Sequence, residues 1–310
     1  MARTSLLLLA LAGVAITMPA EALDDLNWLS PDADRAAALT TAPAECLARP
    51  ADPGQAWRVS LGQVAFRSPA LLGGLAARSG ISCDTCHRNG HGNPAFFIAG
   101  VSGAPGTADV TSAIFSQTRG DDTVNPVPIP DLTGAGAKTS FGTVRPTHDL
   151  PGFVHSVMVD EFQGQEPAPA VAEGLVAYVA GLTRDACPAE PSVRLTFDHA
   201  ARELADTYAV LLATMDRDDR KAADFVLRSL NLALGRLAQR FPGAPEAADA
   251  LPALGRDLGT IRPLIRDDPD AARRSLAAWR KRLDVAIQIL STRESLFDRR
   301  AVERFLGAGR

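Results

Sequence analysis

The stretch that decides the fold is residues 79–92, "SGISCDTCHRNGHG", with Cys83 and Cys86 separated by two residues, His87 directly after, and His91 four positions on. In a C-x-x-C-H sequence the two thiols sit about one helical turn apart and face one planar ligand. The adjacent imidazole then rises under the centre of that ligand, which is why the spacing reads as c-type haem attachment. A zinc site draws a second ligand pair from farther along the chain to close its tetrahedron, and no such pair follows His91. A redox dithiol is expected beside a βαβ pattern, and none surrounds residue 83. An ordinary disulfide or a chance match is the plainest alternative. The sequence therefore predicts one covalently attached haem c, held by Cys83 and Cys86, with His87 as the proximal iron ligand. His91 reads as a surface or propionate-side residue. Two imidazoles on one short segment do not easily reach opposite faces of a haem.

The rest of the chain agrees with that chemistry. Its 310 residues, 46% of them hydrophobic, leave room for two domains, and a net charge of −4 offers no basic footprint for nucleic acid. The N-terminus, "MARTSLLLLALAGVAITMPAEALDD", joins Arg3 to an apolar run from Leu6 to Ile16 and then Ala20-Glu21-Ala22. That order is the pattern of a secretory signal peptide over residues 1–22. The run is too short to cross a bilayer, which takes roughly 20 residues, and no later stretch is long enough to anchor the mature chain. Export to the periplasm is the expectation, and haem is attached covalently after export. The two cysteines outside the motif, Cys46 and Cys187, flank the haem region, and in an oxidising compartment they are expected to form a disulfide.

Element by element the sequence predicts an all-α protein: a cytochrome c-like haem domain with long irregular loops over 23–188, then an antiparallel helical bundle over 192–306. Ahead of the motif a helix is interrupted near Pro69 and Gly73-Gly74, with a turn at Ser79-Gly80. Residues 89–145 lack periodicity and read as a wrapping loop. Helical patterns return over 150–162 and 169–182. Beyond Pro191 glycine becomes rare, and Leu204 to Met215, Ala223 to Phe241, Leu251 to Ile265 and Ala272 to Leu290 carry amphipathic stripes. A kink is expected at Pro263, and a short fifth helix ends near Leu306. The bundle reads as a structural module, with docking of a protein partner as its functional alternative.

Three stretches, "LGQVAFRSPALLGGLAARSGISCDTCH" (61–87), "PVPIPDLTG" (126–134) and "VMVDEFQGQEPAPAVAEGLVAYVAGL" (157–182), resemble the bacterial di-haem cytochrome c peroxidase and methylamine-utilisation haem protein family. The resemblance covers roughly residues 57–183 and implies a cytochrome c-like domain. Two departures stand out. The family carries two C-x-x-C-H motifs and this chain one. The position of a family histidine falls on Thr143 in "SFGTVRP", although alignment on "PGFVHS" would match His155 instead.

The ligand opposite His87 is open in the sequence among His91, His148, His155 and Met158. Leu150, Val154 and Met158 share one helical stripe, and Met158 is the favoured candidate, with His155 and His148 as alternatives on another face. The resemblance implies the same choice, since the family's electron-transfer haem takes a methionine from a helix in this region. Met158 as a mere core residue, and an open iron position, are the competing readings. Arg88 and Arg119 are candidates to meet haem propionates. The leading expectation is an exported monohaem cytochrome passing single electrons to a redox partner protein. A divergent haem peroxidase or oxidase, with His148, His155 and Asp160-Glu161 as its acid/base candidates, and a haem-bearing partner-binding subunit are the alternatives.

Overall fold

In the computed structural model residues 23–142 and 146–308 are described; the segment read as a signal peptide and Thr143 lie outside them. The described residues are mostly helical, with three two-stranded antiparallel ribbons. Short helix α1 (Arg35–Thr40) and strand β1 (Thr41–Pro43) precede the long α2 (Pro53–Phe66). Asp52 caps α2 by accepting from the Gln55 N–H at 2.8 Å, with Pro53 in the first turn. Then come α3 (Gly74–Arg78), α4 (Cys83–Cys86), and the ribbon of β2 (His87–Arg88) with β3 (His91–Gly92). A second ribbon, β4 (Thr107–Ala108) with β5 (Val127–Pro128), is embedded in otherwise irregular chain up to α5 (Leu150–Ser156). A π-helical turn, Val157–Glu161, extends α5, and α6 (Pro169–Gly181) follows.

Helices α2 and α6 pack on one another more extensively than any other pair in this half. Their crossing depends on glycine, because a Cβ on Gly62 would stand 1.9 Å from the Gly174 carbonyl oxygen. Without either side chain the two backbones touch, and Phe66 and Tyr178 meet beside the crossing at a ring separation of 4.9 Å.

After β6 (Ser192–Arg194) the bundle comprises α7 (Phe197–Met215), α8 (Arg220–Gln239), α9 (Pro245–Asp267) and α10 (Pro269–Leu290), with α11 (Arg299–Ala308) after it. Thr196, Asp219 and Asp268 cap α7, α8 and α10 through their side-chain oxygens. Successive helices pack together, and α10 returns to α7. The buried stripes are those of the sequence pattern: Leu211, Val226, Leu230, Leu258 and Leu276 are fully covered. Helix α9 contains both Pro252 and Pro263 and is helical throughout.

Nothing in the packing separates the two halves. Val59, Leu61, Leu175 and Tyr178 belong to the same apolar cluster as the bundle stripes. The N-terminal segment reaches across to the other end of the chain, where Leu23, Leu29 and Leu39 pack with Leu296, Ala301 and Val302. There the buried Arg240 pairs with Asp25 at 2.8 Å and donates to the Leu39 carbonyl at 2.8 Å. Strand β1 pairs with β6, and beside that pair Cys46 and Cys187 form the expected disulfide. Closing a loop with a sequence separation of 141 is worth about 5 kcal/mol in the chain-entropy account. Among the described residues no helix is long and apolar enough to cross a membrane.

Candidate functional site

The motif begins with α4, a single turn. The Ser82 N–H donates to the Thr85 hydroxyl at 3.0 Å, and Asn93 secures the other end by donating from its side chain to the Thr85 carbonyl at 2.9 Å and from its backbone to Cys86 at 2.9 Å. These bonds satisfy groups that so short a helix cannot pair internally. His87 then leaves the helix, and the chain reverses through Asn89-Gly90, with φ of 50° and 87°. Positive φ at both central residues is what a type I′ hairpin requires, and Asn-Gly is its preferred sequence. The turn folds His91 back beside the motif, so that Arg88 pairs with His91 and His87 with Gly92.

Cys83 and Cys86 are free thiols, half-buried, each against a different apolar cluster. Cys83 packs on the cluster that contains Leu71, Ala135, Met158 and Val171. Cys86 packs on a second one formed by Trp28, Leu72, Phe96 and Phe115, with Phe162 and Ile129 at its edge. Burial pushes the Cys83 thiol up to about 12 and the Cys86 thiol also far above its ordinary value. A redox dithiol needs the opposite, a depressed thiol in an electropositive setting.

His87 is aimed by one bond. Its Nδ1 donates to the Pro130 carbonyl at 3.0 Å, which leaves Nε2 without a proton in the neutral ring. Burial holds this imidazole down at about 4, against the opposing pull of the Pro130 carbonyl and Asp131, so the ring is neutral at physiological pH. A neutral imidazole with its Nδ1–H tied to a carbonyl is the form that binds a metal through Nε2.

The other candidates divide cleanly. Met158 is 1% exposed and lies in the cluster that Cys83 touches. It sits in the π-helical turn, where the Phe162 N–H bonds to the Val157 carbonyl at 3.1 Å and Gly164 to the Met158 carbonyl at 2.8 Å. Such turns are frequent at functional positions. His155 faces outward and pairs through Nε2 with the exposed Glu166 at 2.8 Å. His148 is exposed and bonded to the Thr139 carbonyl. His91 is not a free surface group: its Nδ1 lies 2.7 Å from Asp131 Oδ2 and its Nε2 3.0 Å from the Ala44 carbonyl.

Arg119 is taken by protein partners. It donates to Glu161 Oε2 at 2.7 Å and to the Ser156 hydroxyl, which docks the irregular chain onto the π-helical turn. Glu161 is 5% exposed, and burial raises its carboxyl to about 7 in spite of Arg119. It belongs to the same π-helical turn as Met158. Asp160, its sequence neighbour, contributes only its carbonyl, to Ser116.

A polar crevice of about 370 Å³ is lined by Glu45, Arg67, Asp84, Arg88, Glu203 and Arg236, among others. Burial alone would lower the Arg67 pKa, but Glu203, Glu45 and Asp84 hold it above the ordinary value. Arg67 in turn bonds Glu45 at 2.9 Å and Asn89 at 3.0 Å, tying the hairpin turn to α2. Neither this network nor Arg119–Glu161 leaves a signal in the sequence, because the partners are far apart in the chain.

Among the described residues no group of three or more His, Cys, Asp and Glu side chains is arranged to hold a metal ion. Comparison with family models, curated proteins and solved structures gives no match.

Proposed function

We propose that this chain is an exported monohaem c-type cytochrome that passes single electrons to a partner redox protein, built on a cytochrome c-like domain related to the di-haem peroxidase family. The observation that carries this reading is the setting of the motif. Two unpaired thiols face two apolar clusters, and the adjacent His87 presents a bare Nε2 because Pro130 fixes its Nδ1–H.

These residues fit haem c. Cys83 and Cys86 would hold it by thioether bonds and His87 would take one axial position. Met158 is the residue for the other position, since among Met158, His155 and His148 it alone is buried in the cluster beside Cys83. A haem with a His/Met pair supplies a one-electron couple of raised potential. The chain's own part is to keep the crevice apolar, to hold the proximal imidazole neutral and to fix its ring plane. The amino-terminal reading and the disulfide support a periplasmic location.

A second reading, a divergent haem peroxidase or oxidase, is favoured by Glu161. It is a buried carboxyl in the π-helical turn that carries Met158, and burial raises it to about 7. The distinction lies in whether Met158 or exchangeable solvent meets the iron.

The test is a pyridine haemochrome assay and intact mass of the exported protein, followed by its oxidised and reduced spectra. One covalent haem and a low-spin His/Met spectrum, lost as a methionine signature in Met158→Ala, are expected. A haem-free, zinc-loaded protein overturns the haem reading, and a high-spin ferric form that turns over peroxide favours the second one.

A further inference from the structure

We infer that His91 is a positioning residue for the proximal side of the site: through Asp131 it fixes the Pro130 carbonyl that receives the His87 Nδ1–H. This rests on the haem reading above and names how the chain tunes that same site.

The argument starts from Pro130. It has no N–H, so nothing bonds its own nitrogen, and its carbonyl is placed only by what holds its neighbours. Three tethers do so. The Ile129 N–H donates to the Gly106 carbonyl at 2.9 Å, and the Leu132 N–H to the Gly90 carbonyl at 2.8 Å. The third and only side-chain tether is Asp131. Its Oδ1 accepts from the Thr133 N–H at 2.6 Å and its Oδ2 faces His91 Nδ1 at 2.7 Å.

The other end of the His91 ring is also anchored. Nε2 lies 3.0 Å from the Ala44 carbonyl and 3.7 Å from the Cys46 sulfur of the disulfide. The imidazole thus spans from the disulfide-stapled segment after β1 to the irregular segment after β5 that orients the His87 ring. It is carried there by the Asn89-Gly90 turn, on the same two-stranded ribbon as His87 itself. A firm acceptor at His87 Nδ1 raises the donor strength of Nε2 and favours the oxidised metal. Loosening the acceptor therefore raises the reduction potential.

The two ring nitrogens can be separated by substitution. His91→Asn places an amide N–H near the Nδ1 position and keeps the bond to Asp131; His91→Gln reaches the Nε2 position and keeps the bond to Ala44. The covalently loaded full-length variants are titrated for midpoint potential, and the His87 ring proton signals are followed by NMR. The expected result is a potential raised in His91→Gln with altered His87 signals, and one restored toward wild type in His91→Asn. Asp131→Asn, which keeps the shape and removes the charge, shifts the potential in the same direction by less, and it supplies the comparison if His91→Gln yields no loaded protein. Equal shifts in the Asn and Gln variants, no shift in the Gln and Asp131 variants, or a lowered potential overturn the inference. Absence of covalent haem in the wild-type protein overturns the haem reading instead.

Discussion

The bundle and the haem-motif region of this protein are held by different physics. In the bundle, four long helices bury continuous apolar stripes, and three of them, α7, α8 and α10, start on a local side-chain cap. Around the motif the longest uninterrupted helix between residues 67 and 168 is α5, and order comes from individual hydrogen bonds between distant residues, such as His87–Pro130, Arg67–Asn89 and Arg119–Glu161. The difference teaches where each region is vulnerable. Burial is spread over many residues and fails by volume, whereas a polar network fails at single links.

The largest effect expected belongs to the bundle. Trp279 is fully buried, donates from Nε1 to the Leu254 carbonyl at 3.0 Å and stacks near Tyr208. Trp279→Ala leaves a cavity and removes the indole bond to the Leu254 carbonyl, a loss of about 3–5 kcal/mol, read by chemical denaturation. Because one apolar cluster runs through both regions, the region around the Cys83-Cys86-His87 motif should unfold in the same transition. Separate midpoints for hydrogen exchange in that region and for the helical signal would break the picture of one cooperative unit.

That contrast also explains what the sequence made legible. The stripes of α7 to α10 were readable because a helix of period 3.6 writes its buried face into the local sequence. Cys83, Cys86 and His87 stood out because covalent attachment of a haem, as proposed, imposes a fixed spacing. The disulfide followed from compartment and count. The hairpin at Asn89-Gly90 has a signal in the Asn-Gly pair itself, but it lies inside a stretch whose lack of periodicity reads only as loop. Glu161–Arg119 and Arg67–Glu45 had none, since a pair brought together by tertiary folding leaves no periodicity behind. The shared core was likewise hidden: the change of composition near residue 191 marks a change of helix regularity, while Tyr178 and Leu204 lie in one cluster.

In the motif region the next effect is electrostatic. Burial raises the folded Glu161 pKa to about 7 from an ordinary 4.5. Its contribution to stability is therefore fully present below about 4.5 and is lost as pH rises through 7. The loss is at most about 3 kcal/mol by linkage. Glu161→Gln cannot ionise, so its unfolding free energy should fall less than the wild type's between pH 5 and 8. Comparing slopes, rather than absolute stabilities, removes the constant cost of leaving Arg119 without its partner. Parallel slopes for the two proteins would show that the Glu161 carboxyl is better solvated than its 5% exposure implies.

The smallest effect isolates one turn. Gly90 adopts a φ of 87°, and an added Cβ would meet Leu182 Cδ1 at 2.7 Å, the movable end of a side chain. Gly90→Ala therefore carries mainly the cost of left-handed backbone, about 1–2 kcal/mol, seen as a fall of a few degrees in Tm. An equal substitution at Gly235, inside α8 with nothing within 4 Å of its Cβ position, should be neutral or stabilising, because alanine outranks glycine in a helix by about 1 kcal/mol. Opposite signs at these two glycines are what the contrast between turn-held and helix-held regions requires. A Gly90→Ala protein as stable as the wild type would mean that the Asn89-Gly90 turn relaxes freely. His91 would then be held by its bonds to Asp131 and Ala44 alone, with no contribution from the ribbon that carries it.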